Sequence, residues 1–339
     1  MIKDLLRKIK ESDSDNLNLY FVTRKLKKGI KARAKVLEKY EFTVYSVDID
    51  DEIREHLYDL TIKQFDNVVE KELETTPFEV ISDDIKKIFT YDMTNRAMSF
   101  ADVVNNQLAN KSLLNKINDL SDLLKEEELW AYSVGFYDES DDDWFYTFRK
   151  ILRGKVVVDE ENRKSKKQKV NFFRAKFDVD NSKLEMLHGE TVNLDEKVDC
   201  IFYNEVFYIL QRTQFEQITG MAEEFKVEAQ NVVEELKKTN LFEGLELLEQ
   251  HVEDKPPLHK KLVRLKKVNT YQNLKIKDIN RMLKIAKKYG GILRKDKSGK
   301  LLIESKEDID LTIKVLVDYF KKGEFSGNSY GTYSGKQIS

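Results

Sequence analysis

The chain has 339 residues, 40% apolar and 35% charged, with 34 Tyr and Phe in total and only three Pro. That mixture excludes a disordered or collagen-like chain and leaves room for two or three domains with a real core. Net charge is −2, which excludes a uniformly basic nucleic-acid binder, so any charged interface must come from local segregation.

The first stretch, "MIKDLLRKIKESDSDN", is amphipathic but has no apolar h-region, so it does not read as a signal peptide. "LNLYFVTR" (17–24) and "YEFTVYSVDI" (40–49) are β-branched and aromatic and predict strands. Ile53, Leu57, Leu60, Phe65 and Val68 recur at helical spacing behind acidic residues, which predicts a helix. A serine-capped helix is expected near "SFADVVNNQLAN", followed by a polar connection over 111–125.

Beyond it the chain changes character. "ELWAYSVGFY", "DWFYTFRKI", "KVNFFRAKFDV", "KLEMLH", "DCIFYN" and "EVFYIL" are short, aromatic and largely alternating, and are separated by turn formers. They predict a mainly antiparallel sheet of about five or six strands, one face covered by helix. "YNEV" reads as a tight hairpin, although Asn-Glu is a weaker signal than Asn-Gly.

From Gln211 the period becomes helical. Phe215, Ile218, Ala222, Phe225, Ala229, Val232 and Leu236 form a heptad-like seam, expected on one long helix that ends at "KPP" and packs on another helix or on a dimer mate. Then come a helix with Leu258, Leu262, Leu265 and Val268 on one stripe, a helix "KDINRMLKIAKKYG", a hairpin turning at 297–299, and a last helix to Phe320. The expected fold class is therefore α+β: a central antiparallel sheet with flanking helices and a helical, basic C-terminal region. Its expected divisions are 1–124, 125–220 and 221–339.

Charge is segregated along that last region. Residues 221–254 hold ten acids against three lysines, while 255–300 hold sixteen Lys and Arg against Asp278 and Asp296. Such a basic surface attracts phosphate backbones through counterion release, and Lys260, Lys261, Arg264, Lys266, Lys267, Arg294 and Lys295 are the candidate DNA contacts. Lys164, Lys166 and Lys167 in "NRKSKKQK" form a second patch. The plainer alternative is that the acidic helix packs beside the basic segment and neutralises it.

Catalytic patterns fare less well. Gly335-Lys336 invites a phosphate-binding loop, but position 330 is Tyr, Gln337 follows the lysine, and two residues beyond it are too few for the required helix. Asp296, Glu304 and Lys306 mimic the Asp…Glu-x-Lys set of metal-dependent nucleases, in which two carboxylates hold Mg²⁺. An exposed hairpin followed by a helix start explains the same residues. "DESDDD" lacks the Gly and the final Glu of an EF-hand loop. His56, His188, His251 and His259 are scattered, and Cys200, the single cysteine, lies in an apolar strand as a buried thiol would. No catalytic set, metal site or cofactor loop is predicted. With one cysteine and no apolar run near the roughly 20 residues of a membrane helix, a reducing cytoplasmic location is expected.

The order "LWAYSVGFY", "WFYTFRKI", then "KLEMLHGETVNLDEKVDCIFYNEVFYILQRTQFEQITG" resembles the KwaB component of the Kiwa anti-phage defence system and its relatives. The matching positions are Asp199 at the strand end, Phe207–Ile209 in the hairpin and Phe215–Glu216 opening the helix. Further on come Asp318-Tyr319, then Ser326-Gly327 with Tyr330, and Gly335-Lys336; Ser326 stands where the family pattern has Thr. The resemblance spans about residues 125–336. It implies a dimeric protein that binds phage DNA, blocks its replication or expression, and works beside a small transmembrane partner, KwaA, at the inner face of the membrane. It carries over no catalytic residues. The alternatives that the residues leave open are a metal-dependent nuclease and an adaptor whose basic arm binds acidic protein.

Overall fold

The computed structural model describes residues 2–12, 16–30, 39–71, 73–81, 87–92, 100, 103–110, 114–116, 128–139, 142–151, 175–178, 183–186, 194 and 197–333. Its centre is a nine-stranded sheet in the order β3-β4-β11-β10-β7-β6-β1-β2-β5. The strands are β1 (Asn18–Leu26), β2 (Tyr40–Val47), β3 (Glu74–Pro77), β4 (Lys87–Asp92), β5 (Asn115–Lys116), β6 (Glu128–Asp138), β7 (Asp143–Lys150), β10 (Cys200–Tyr203) and β11 (Val206–Ile209). Every pairing from β4 to β2 is antiparallel, whereas β3 and β5 join the two edges in parallel. The fold is α+β, as the alternation of apolar and polar residues implied. A separate ribbon pairs β8 (Ala175–Asp178) with β9 (Lys183–Met186). The sheet takes strands from both 1–124 and 125–220.

Alternation along each strand builds two cores. On one face, Leu19 and Phe21 of β1, Tyr132, Val134 and Phe136 of β6 and Phe145 of β7 pack under helices α1 (Ile2–Glu11) and α2 (Asp51–Glu70) through Leu5, Ile9, Leu57 and Phe65. On the other, Tyr20, Val22, Tyr146, Phe148 and Phe207 lie under Phe100, Val103, Val104 and Leu108 and under helix α3 (Arg212–Ile218). Residues 103–108 form a π-helical turn instead of the capped α-helix expected there. Gln107 explains its hold on the sheet: its side-chain amide donates to Phe42 O and its carbonyl accepts from Val44 N, both at 2.8 Å.

The β10–β11 turn is tight despite its weak signature. Asn204 and Glu205 both lie in the left-handed region (φ 48° and 60°), the backbone of a type I′ hairpin.

Past Gln211 the single long helix expected from the heptad seam is three helices. α3 stops at Ile218, and Gly220 (φ 80°) caps α4 (Met221–Thr239). The chain then turns through Asn240 (φ 53°) into strand β12 (Phe242–Glu243) before α5 (Leu245–Asp254). "KPP" opens α6 (Pro256–Val268), with proline where a first-turn N–H has no helical partner. α7 (Ile276–Lys288), β13 (Arg294–Lys295), β14 (Leu301–Leu302) and α8 (Lys306–Leu316) follow the expected order. The last helix ends at Leu316, and a further hairpin, β15 (Phe320–Lys322) with β16 (Ser329–Gly331), takes the place of its expected final turn.

These helices share a third core, with Val232, Leu236, Leu262, Leu265, Ile279, Met282, Ile309 and Ile313 at its centre. The small sheet β12-β14-β13 closes one side of it. Gly244 is required there: its φ is +84°, and a Cβ would sit 2.2 Å from the Ile303 carbonyl oxygen.

Candidate nucleic-acid interface

Four of the seven cations expected to meet DNA in the helical region are held by carboxylates of this same chain. Lys260 donates to Glu216 at 2.6 Å, and Arg212 reaches that carboxylate at 3.1 Å. Lys261 pairs with Asp310 on α8, whose other oxygen takes Lys314 at 2.7 Å. Lys266 pairs with Glu228 on α4, and Arg294 with Glu304 at 3.1 Å. Arg264 is half-buried and also engaged. Lys267 is exposed, and Lys295 is exposed with its ammonium on the Asn280 side-chain oxygen at 2.9 Å. Lys164, Lys166, Lys167 and Lys336 lie outside the described residues.

α7 behaves differently. Ile279, Met282 and Ala286 face the core. Lys277, Arg281, Lys284 and Lys288 follow one another at four, three and four residues, so they share the opposite, exposed face. Among the described residues, neither these four nor Lys287 and Lys297 has an ion-pair partner; the only carboxylate on α7, Asp278, caps the backbone N–H of Lys275 at 2.9 Å. The stripe runs about 16 Å at ~1.5 Å per residue, long enough to track several phosphates of a duplex that carries one charge per ~1.7 Å. Lys295, bonded to Asn280, extends it onto the β13–β14 hairpin. The run of lysines hid this face in the sequence. Placing 276–288 on a helical wheel against Ile279, Met282 and Ala286 would have separated it.

Of the residues of the family resemblance, Asp199, Phe207–Ile209 and Phe215–Glu216 are interior, whereas Asp318, Ser326, Gly327 and Tyr330 are exposed and Gly335–Lys336 lie outside the described residues. The Asp199 carboxylate accepts from Lys150 N at 2.6 Å, and its carbonyl accepts from Leu210 N and Gln211 N, which fixes the entry to α3. Phe207 and Phe215 meet edge to face in the core with ring centres 5.4 Å apart, and Glu216 ties α3 to α6. Beside them the β1–β6 register jumps from Val22↔Ala131 to Thr23↔Leu129, leaving Trp130 as the extra residue of a bulge. A bulge re-aims its side chain. The indole therefore joins the face opposite Leu129 and Tyr132, donates to Ile218 O at 2.9 Å, and has Arg24 and Lys150 each 3.4 Å from its ring centre. Arg24 in turn meets Glu223 and Glu128 at 2.7 and 3.2 Å. These contacts join the sheet to the helical region and sit out of reach of a large ligand.

Both carboxylates of the nuclease set have partners within the chain. Asp296 accepts from Ser298 Oγ at 2.7 Å and from Lys300 N at 2.8 Å, bonds that hold its carboxyl below the ordinary value. Glu304 is engaged by Arg294. Among the described residues no group of three or more His, Cys, Asp or Glu is placed to hold a metal ion. Burial pushes the Cys200 thiol well up, as does Asp199 beside it.

A family model described as "Kiwa protein KwaB-like" matches residues 127–325. The chain belongs to that family. Membership makes it a component of the Kiwa anti-phage defence system. The match begins at β6 and takes in the Trp130 bulge, Asp199, Glu216 and the whole of α7. No curated protein and no solved structure matches the chain. Among the described residues no helix is long and apolar enough to cross a membrane.

Proposed function

We propose that this KwaB-like chain is the DNA-binding arm of its defence system, holding phage DNA through its phosphates without cutting it and so blocking replication or expression. The observation that carries the proposal is the face of α7, where four cations stand in line with no ion-pair partner among the described residues. Lys267 and Lys295 belong to the same proposed surface, and Lys164, Lys166 and Lys167 are the proposed second patch. Lys260, Lys261 and Lys266 are already held in ion pairs that tie α6 to α3, α8 and α4, and Arg294 in an exposed pair with Glu304. Contact of this kind is made to backbone and not to base edges, so binding is expected to be sequence-tolerant and salt-sensitive. A homodimer recruited to the inner membrane face by a KwaA-like partner completes the proposal.

The test is gel retardation of plasmid DNA at low salt, with Mg²⁺ present, by the parent and by K277E/R281E/K284E/K288E. The parent is expected to retard the plasmid intact and the variant to lose retention. Retention by the variant would remove α7 from the interface. Plasmid degradation would restore the nuclease alternative, and indifference to every nucleic acid would favour the adaptor.

A further inference from the structure

The hairpin that follows α8 carries an aromatic side chain that packs on none of the described residues. Phe325 is fully exposed (106%), while no other phenylalanine among the described side chains is exposed. The loop presenting it is closed on itself. Gly323 N donates to Asn328 O at 2.9 Å, Gly327 N to Gly323 O at 2.8 Å and Asn328 N to Ser326 Oγ at 3.2 Å. Gly327 takes φ +70°, and at Gly323 a Cβ would lie 2.7 Å from Ser326 Oγ. The ring is therefore held outward by an ordered turn.

Its surroundings are cationic and continuous with α7. Lys321 and Lys322 on β15 are exposed and, among the described residues, have no ion-pair partner; Glu324 is the one acid of the loop. The Phe320 ring stacks on Tyr289 at the C-terminal end of α7 at 4.5 Å and 9°, and Lys288 lies 5.3 Å from the same tyrosine ring. The stripe from Lys277 to Lys288 thus runs into the hairpin that ends in Phe325. Across the ladder from Lys321, Tyr330 offers a second half-exposed ring.

A row of phosphate-seeking cations that leads to an outward ring is how proteins grip unpaired nucleotides, with a base stacking on the aromatic face. Two rings beside a carboxylate and lysines make a poor membrane anchor, because interfacial binding needs a broad apolar face. Resting on the DNA-binding proposal above, we infer that Phe325 stacks on an unpaired base, so that the chain prefers DNA in which duplex passes into single strand. The α7 stripe tracks the paired phosphates, and the hairpin takes the first unstacked base.

Fluorescence anisotropy tests this with three labelled probes: a blunt duplex, the same duplex with a single-stranded overhang, and the single strand alone. The parent is expected to bind the overhang probe about 5-fold or more tightly than the blunt duplex. F325A is expected to lose that preference while keeping blunt-duplex affinity and salt dependence. F325W should retain it, with its indole fluorescence quenched by the overhang probe. An F325A protein with the parental preference overturns the inference. So does an F325A defect confined to vesicles of phosphatidylglycerol, which would make the ring a lipid contact. The two proposals fail separately: K284E/K288E with parental affinity for all three probes sinks the α7 interface, whereas a silent F325A sinks only the stacking.

Discussion

Glu216 shows how one buried carboxylate can organise two helices. Its side chain is 4% exposed and accepts from Arg212 within α3 and from Lys260 on α6. Removing its charge leaves two cations facing a neutral amide. Both are a fifth to a quarter exposed, so water recovers part of the loss and the full penalty of a stranded buried charge does not apply. Glu216→Gln is therefore expected to cost about 1–3 kcal/mol, read as a lower urea midpoint, and an unchanged midpoint would show that the pair is idle. Asp310 makes a related case that pH can read. Burial pushes its carboxyl up, but Lys261 and Lys314 outweigh burial and hold it below the ordinary 3.8. A carboxyl depressed in the folded state stabilises above the unfolded value and stops doing so as pH falls through the folded one. Asp310→Asn should thus be about 0.5–1 kcal/mol less stable than the parent at neutral pH, with the gap closing in acid below about pH 3.8. A gap that persists in acid would assign the loss to packing instead of charge.

At the scale of elements, the strands were legible because their periodicity is local. β1, β2, β6, β7, β10 and β11 all lie within a residue or two of their expected bounds. Where the sequence misled, the cause lies in tertiary contacts. The heptad seam from Phe215 to Leu236 is continuous in spacing, yet Gly220 breaks the helix, since a residue at φ 80° cannot continue it. Trp130 reads as one more residue of an alternating strand, and only its pairing with β1 exposes the bulge. The ion pairs of Lys260, Lys261 and Lys266 depend on which helix lands beside α6, which spacing does not encode. Gly244 gives the element-scale prediction. Gly244→Ala must accept both φ +84° and the Ile303 oxygen, and should lower stability by more than the ~1–3 kcal/mol of backbone strain alone. Gly290→Ala shares a positive φ (81°) but meets open space, so it isolates the strain term. Equal urea midpoints for the two variants would mean that the β12–β14 side of the core yields easily.

For the whole molecule, the question is whether DNA affinity follows total charge or its placement. Four carboxylates of the acidic segment are paired within the chain: Glu228 with Lys266, Glu249 with Lys237, Glu253 with Lys226 and Glu223 with Arg24. α6 is largely neutralised by Glu228 together with Glu216 and Asp310, and α7 is not, among the described residues, although both look equally basic in sequence. Two variants that each remove three positive charges separate the possibilities. R281Q/K284Q/K288Q strips the exposed stripe. Its stability should stay within ~0.5 kcal/mol of the parent, as for surface substitutions generally, while the slope of log affinity against log salt should become shallower by about 2.7. K260Q/K261Q/K266Q removes the same charge from intrachain pairs, leaving Glu228 without its cation, Glu216 with Arg212 alone and Asp310 with Lys314 alone, so its urea midpoint should fall while its salt slope changes by less than half as much. Equal slope changes in the two would mean that DNA responds to the overall field of the protein and not to the face of α7.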